Sequence, residues 1–146
     1  MDGRERRVGL NSKIKIYSPE ALGEPLGLYE HISRVQASSE LLYLAGQLAV
    51  DREGNVVGEN DFESQMRQVF SNIREALRSA DADFGDVFKF TTYLTDSENI
   101  EHFMRVRSDL FPELFSSQKF PPNTLLIVDR LVHSEFLIEV ETIAAL

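Results

Sequence analysis

Cysteine and tryptophan are both absent from the 146-residue sequence. Without cysteine there is no disulfide, no thiol nucleophile and no cysteine-ligated metal, which fits a reducing compartment. Long apolar runs are missing too. The longest, residues 41–50, contains Gln47 and is far too short to span a bilayer. At the start, Arg4, Arg6 and Arg7 are followed by polar positions rather than by the apolar segment of a secretory signal. A cytoplasmic protein with no membrane partner is the expectation. Basic residues are scarce, with 15 Lys and Arg against 24 Asp and Glu and a net charge of −9. Residues 1–7 hold three Arg against Asp2 and Glu5, so the remainder carries −10. Such a surface repels phosphate backbones, and nucleic acid is not an expected primary partner. His31, His102 and His133 lack ligand spacing, so no metal site is expected. No phosphate loop, nucleophile elbow or dinucleotide fingerprint occurs, and no cofactor is implied.

What is present is the composition of a soluble globular domain, 42% hydrophobic and 27% charged. Residues 12–146 read as one domain and residues 1–11 as a mobile tail. Alternating apolar positions predict strands over residues 13–17, 31–37 and 41–46, with a Pro- and Gly-punctuated loop over 18–28. The clearest helix follows. Phe62, Met66, Val69, Phe70, Ile73, Ala76, Leu77 and Ala80 form one apolar stripe, and Asn60 with Glu63 reads as its capping box. Residues 87–95 predict a long strand. Thr95 with Glu98 reads as a second capping box, opening a helix with the stripe Ile100, Phe103, Met104, Arg107, Leu110 and Phe111. Pro112 should end or kink that helix, because it supplies no amide hydrogen. Strands over 124–129 and 135–144 complete the order β-β-β-α-β-α-β-β. Two striped helices need a sheet face to cover, which predicts a two-layer α+β sandwich. Along the last strand Phe136, Ile138 and Val140 point one way, and Leu137, Glu139, Glu141 and Ile143 the other. That second face mixes apolar and acidic residues, as a subunit interface bearing a site would. The phenylalanines Phe62, Phe70, Phe88, Phe90, Phe103 and Phe111 read as core, and Asn72 as a tie to a loop carbonyl.

Several further stretches occur in a definite order: Gly27-Leu28-Tyr29, then Leu44-Ala45-Gly46-Gln47 with Asp51 and Gly54, then Gln65, Val69 and Asn72. After these come Asp86-Val87, Thr92-Tyr93-Leu94-Thr95-Asp96, Phe111, Pro121 and the terminal Glu139-Val140-Glu141-Thr142-Ile143-Ala144. In that order, and with a short insertion after Tyr29, the chain resembles the RidA superfamily, also called YjgF or L-PSP endoribonuclease. The resemblance implies a chorismate-mutase-like α+β fold, a mixed sheet with two helices on one face, and a homotrimer around a central β-barrel. It also implies small-molecule clefts between subunits. Archetypal members hydrolyse enamines and imines to 2-keto acids and ammonia without a metal or organic cofactor, and a few were reported as ribonucleases.

The resemblance carries over residue by residue only in part. The family's water-handling glutamate falls on Glu139, its loop tyrosine on Tyr29 and the glycine of its Ser-Gly-Gln turn on Gly46. Tyr93 and Leu125 join these as lining residues. The serine of that turn is Ala45, the second-helix asparagine is Met104, and the arginine of the Pro-x-Arg-Ser/Thr motif is Asn123. A guanidinium fork binds a carboxylate bidentately, and Asn123 brings no charge. Leaving a buried carboxylate without its partner costs about 2–5 kcal/mol. Arg105, Arg107 and Arg130 are the guanidiniums that can supply a fork from another direction. Read from the residues alone, Glu139 is either a base raised by an apolar cleft or an acid on a wet strand face. Tyr29 either positions a ligand or closes a loop. The expected function is a trimer binding, and hydrolysing, a small molecule other than the archetypal imino acid, on which activity should be absent or weak. The alternatives are a non-catalytic ligand-binding or regulatory trimer and, last, a ribonuclease.

Overall fold

The computed structural model of the protein describes residues 12–146. The tail expected over residues 1–11 lies outside the described residues. β1 (Ile14–Tyr17) and β2 (Ile32–Val35) pair as an antiparallel ribbon. The Ser33 hydroxyl ties this ribbon to the rest by donating to the Phe88 carbonyl at 2.8 Å. β3 (Leu41–Gln47), β4 (Val87–Leu94), β5 (Asn123–Ile127) and β6 (Ile138–Ala145) form a four-stranded sheet in the order β3-β6-β4-β5. β4 and β5 run parallel, while β6 is antiparallel to both β3 and β4. A parallel pair needs a crossover, and α2 (Asn99–Leu114) supplies it. α1 (Phe62–Arg78) packs against α2 and lies over β3 and β6. The fold is the two-layer α+β sandwich that the element order implied, with the mixed sheet that the resemblance implied.

The apolar stripe of α1 buries Phe62, Met66, Val69, Phe70, Ile73 and Leu77, while Ala80 falls beyond the helix end. On α2 the buried row is Phe103, Val106, Arg107, Leu110 and Phe111; Ile100 is exposed instead. Between the layers, Phe70, Phe84, Phe90, Phe111, Phe115 and Phe120 form a connected aromatic set with neighbouring centroids 5.2–6.3 Å apart. Such edge and tilted pairs add specificity to burial. Phe88, expected in the core, is only half-buried, because the β4–β6 register shifts between Val87 and Lys89.

Several local expectations are corrected. Asp61, not Asn60, caps α1: its carboxylate accepts from the Ser64 amide at 3.2 Å, and Asn60 sits at φ 61° in the preceding turn. The second expected box, Thr95 with Glu98, does not form. Asp96 accepts from the Glu98 amide at 2.8 Å, and α2 begins at Asn99 without a side-chain cap. A reciprocal capping box is present elsewhere, between Asp83 and Asp86. Pro112 lies within α2, which stops two residues later at Leu114. Gln118 then closes the end, donating to the Pro112 and Phe115 carbonyls at 3.2 and 2.8 Å. Asn72 donates to the Leu48 and Val50 carbonyls, each at 2.9 Å, as its place on the helix margin implied.

The last strand begins at Ile138 rather than at residue 135, and Gln65 is the reason. This side chain is fully buried in α1. Its amide donates to the Glu135 carbonyl at 2.7 Å and the Gly58 carbonyl at 3.2 Å, and its oxygen accepts from the Leu137 amide at 2.8 Å. The Glu135 carbonyl and the Leu137 amide thus bond to a side chain rather than to a neighbouring strand. Replacing Gln65 with Met keeps volume but leaves buried polar groups unpaired, and should lower stability by about 2–4 kcal/mol. Urea unfolding measures this; a change within about 0.5 kcal/mol would mean that other contacts hold the entry to β6.

Candidate functional site

Strand alternation sorts the candidate residues onto two sides of the sheet. Phe90, Thr92 and Leu94 of β4 and Ile138, Val140 and Thr142 of β6 are buried beneath the helices. Tyr93 and Glu139, which pair across β4 and β6, therefore face the side the helices leave uncovered. Glu141 and Tyr43 lie on that side too. By the same alternation Asn123, paired with Phe90, and Leu125, paired with Thr92, belong to the helix side.

On the uncovered side the centre is Glu139 over Gly46. The β3–β6 register shifts between Leu44 and Gln47, and this irregularity brings Gly46 beneath the Glu139 side chain. A Cβ at position 46 would lie 2.7 Å from Glu139 Cδ and closer still to Oε1, so only glycine admits this approach. Glu139 is half-buried and, among the described residues, has neither a hydrogen-bond nor an ion-pair partner. Burial, and then the Glu141 carboxylate, raise its pKa above the ordinary carboxylate value. The Tyr93 hydroxyl donates to Glu141 Oε1 at 2.6 Å, and that bond raises the phenol's own pKa. Ala45 is exposed, and its carbonyl accepts from the Gln47 side chain at 3.1 Å. A half-buried carboxylate whose pKa is raised is a stronger base than an ordinary one, which suits it to taking a proton from water.

The other group forms around Tyr29. Tyr29 and Asn123 line one cavity of about 470 Å³ together with Glu30, His31, Lys89 and Thr124. Asn123 Oδ1 accepts from the buried Thr92 hydroxyl at 2.8 Å, which leaves the amide NH₂ as its donor. Lys89 donates to Thr124 Oγ1 at 2.8 Å, and burial lowers its pKa. Glu30 is occupied by Ser18 at 2.6 Å and Lys119 at 3.6 Å. Met104 is half-buried on α2 and accepts from Arg107 Nη2 at 3.0 Å. Arg107 in turn lies 6.0 Å from the Tyr29 ring centroid.

One chain therefore unites Glu139, Gly46 and Tyr93, and separately Tyr29 with Asn123 and, through Arg107, with Met104; it does not join the two sets. The three alternative arginines also separate. Arg105 pairs with Glu63 of α1 at 3.3 Å, Arg130 is exposed, and Arg107 is buried beside Tyr29. Sequence reading did not find Lys89 or His31, since a lone basic residue in a strand or loop carries no spacing signal. Among the described residues no three His, Asp or Glu side chains gather as a metal site would require. No helix among them is long and apolar enough to cross a membrane.

Comparison with known proteins agrees with this architecture. Residues 23–146 match the family described as Endoribonuclease L-PSP. A RutC family protein of Pyrococcus horikoshii is 31% identical over 121 residues, covering 83% of this chain and 89% of its own length. The RutC family protein YjgH of Escherichia coli is 34% identical over 104 residues, covering 70% and 75%. Among solved structures, the Rid family protein YyfB of Yersinia pestis superposes with a TM-score of 0.80 at 28% identity, covering 92% of this chain and 99% of that one. Escherichia coli TdcF, solved with bound serine, gives 0.65 at 25% identity, covering 76% and 84%. The sequence match over most of the chain and the shared fold agree: the chain belongs to the endoribonuclease L-PSP family, the RidA/YjgF superfamily.

Proposed function

We propose that this protein is a homotrimer that binds a small organic molecule in clefts between neighbouring copies and hydrolyses it, with Glu139 handling the water. The observation that carries the reading is the division of the candidate residues. Glu139 lies over Gly46 on the uncovered sheet face with no partner among the described residues, and Tyr29 with Asn123 lies around a separate cavity. A neighbouring copy seated on the uncovered face would bring one set against the other. That face also exposes apolar surface, including Tyr43 at 73% and Leu126 at 42%, which favours burial by another chain. The relative solved with serine supports a small, polar ligand class.

In this reading Glu139 accepts a proton from water as the water attacks an electrophilic carbon, and returns it to the leaving nitrogen. Gly46 keeps the space over the carboxylate free of side chain, Tyr93 holds Glu141 in place, and Ala45 lines the wall, while Leu125 packs on the helix side with Asn123. Asn123 offers a neutral donor where archetypal relatives are expected to offer a cation. The substrate is thus other than a small 2-imino acid gripped from β5.

Three measurements test this. Light scattering should give three chains per particle, and Leu126→Glu should dissociate them. A wild-type monomer would sink the intersubunit site. With freshly generated 2-aminoacrylate, the wild type should release little keto acid. Asn123→Arg should raise release by about tenfold or more, and adding Glu139→Ala should remove the gain. Clear wild-type turnover would contradict the claim that the clamp at position 123 is missing. Carboxyl NMR should give Glu139 a midpoint above the ordinary value, so that the basic form and any turnover appear as pH rises through it. Glu141→Gln removes a nearby negative charge and should lower that midpoint. An unchanged midpoint would mean that Glu141 does not act on Glu139.

A further inference from the structure

Arg107 is 3% exposed, yet no carboxylate meets it among the described residues. Its Nη2 donates to the Met104 sulfur at 3.0 Å, a weak acceptor, and its Nε has no partner. The guanidinium lies over the Phe103 ring at 4.9 Å and by the Tyr29 ring at 6.0 Å. Ring faces attract a cation but do not satisfy its N–H groups. Burial lowers the pKa to about 10, so the group is still charged at neutral pH. Buried charges are ordinarily paired, and this one has donors directed at no protein acceptor that matches them.

The cover over Arg107 is thin. A Cβ on Gly27 would lie 2.7 Å from Met104 Cε and closer still to Arg107 Nη2, so bare backbone lies against the guanidinium. Leu26 beside it is 87% exposed, and its amide reaches only the Tyr29 hydroxyl, at 3.3 Å. Tyr29 belongs both to this cluster and to the wall of the cavity that holds Asn123 and Lys89. A group entering the cavity along Tyr29 thus approaches the one buried cation without a counter-ion among the described residues.

We infer that Arg107 of α2 is the anion clamp of the cleft, taking the carboxylate of a small organic acid when the Gly27 segment is displaced. This deepens the intersubunit reading above and rests on it, since it assigns an acid group to the ligand proposed there. The fork comes from the helix layer instead of from β5, so the acid group lies farther from the strand that carries Asn123. Arg107's planar donors suit a carboxylate, and Lys89 adds a second positive charge on the cavity wall.

The test titrates acetate, pyruvate and benzoate, with pyruvamide as the neutral counterpart, onto the full-length protein by calorimetry. At least one carboxylate should bind and pyruvamide should not. Arg107→Met should weaken that binding about 10- to 100-fold, the loss expected of charge-assisted hydrogen bonds, with partial recovery in Arg107→Lys. Arg107→Met should also melt no lower than the wild type, because it replaces a lone buried charge with an apolar chain of similar reach. Gly27→Ala, crowding the guanidinium, gives a second variant that should weaken binding without touching the charge. Failure of all three carboxylates to bind overturns the inference, as does binding that ignores Arg107→Met. A large fall in melting temperature in Arg107→Met also overturns it, because the counter-ion is then part of the protein. A trimer whose ligand binding needs Glu139 but not Arg107 would refute this inference alone. A monomer whose carboxylate binding needs Arg107 would refute the intersubunit reading and keep the anion site.

Discussion

Gln65 sets the position from which β6 starts, and β6 sets almost everything else. Its amide and oxygen together bind the Glu135 carbonyl and the Leu137 amide, so the chain enters the sheet at Ile138 with fixed phase. Strand side chains alternate, and a one-residue slip would exchange the two faces. Glu139 would then lie under the helices against Phe90 and the aromatic set, where an unpartnered carboxylate is costly. Because β6 lies between β3 and β4, the same phase puts Glu139 beside Gly46 on one side and opposite Tyr93 on the other. A single buried amide thus couples packing in α1 to the position of the candidate base.

Two charged groups stand out against this frame, and their environments differ in kind. Glu139 is half-buried, and its neutral form is favoured by desolvation and by Glu141. Arg107 is almost wholly enclosed between aromatic rings and a thioether, without a matching acceptor among the described residues. At the surface Arg67 and Arg78 pair with Glu63 and Glu75 of the same helix. Arg107 is buried and has no such carboxylate among the described residues. Groups whose environments push them away from their ordinary charge states concentrate where ligands and protons are handled.

Periodic features were legible in the sequence, and irregular ones were not. The α1 stripe and the alternation along β6 follow from helix and strand geometry, so the two layers and the outward side of Glu139 could be read directly. The α1 cap was misplaced by one residue. Asn60 and Asp61 are both good caps, and only the φ of 61° at Asn60 decides between them. The register shift that lifts Gly46 under Glu139 leaves no local mark, since it depends on pairing with a strand more than ninety residues away. Arg107 fell in an apolar stripe by spacing, and its burial follows from that. Its lack of a partner is a property of Gly27, Tyr29 and Met104 meeting in space, which no spacing rule contains.

In the proposed cleft, a cation on α2 in place of one on β5 changes more than its address. An arginine at position 123 would start on the helix side of a strand whose neighbour, Thr92, already fixes the orientation of the side chain there. With asparagine in that place, the bond from Thr92 takes the amide oxygen and leaves the NH₂ to face a ligand as a weak, uncharged donor. Such a donor suits a carbonyl or hydroxyl better than a carboxylate. The guanidinium of Arg107 is held by two rings and is charged at neutral pH, so it has the opposite preference. A ligand satisfying both carries its acid group toward α2 and a neutral oxygen toward β5. It is therefore longer than a small 2-imino acid, whose carboxylate and reacting carbon are adjacent. That separation of recognition elements favours discrimination, because a smaller acid reaching Arg107 leaves the Asn123 donor unpaired.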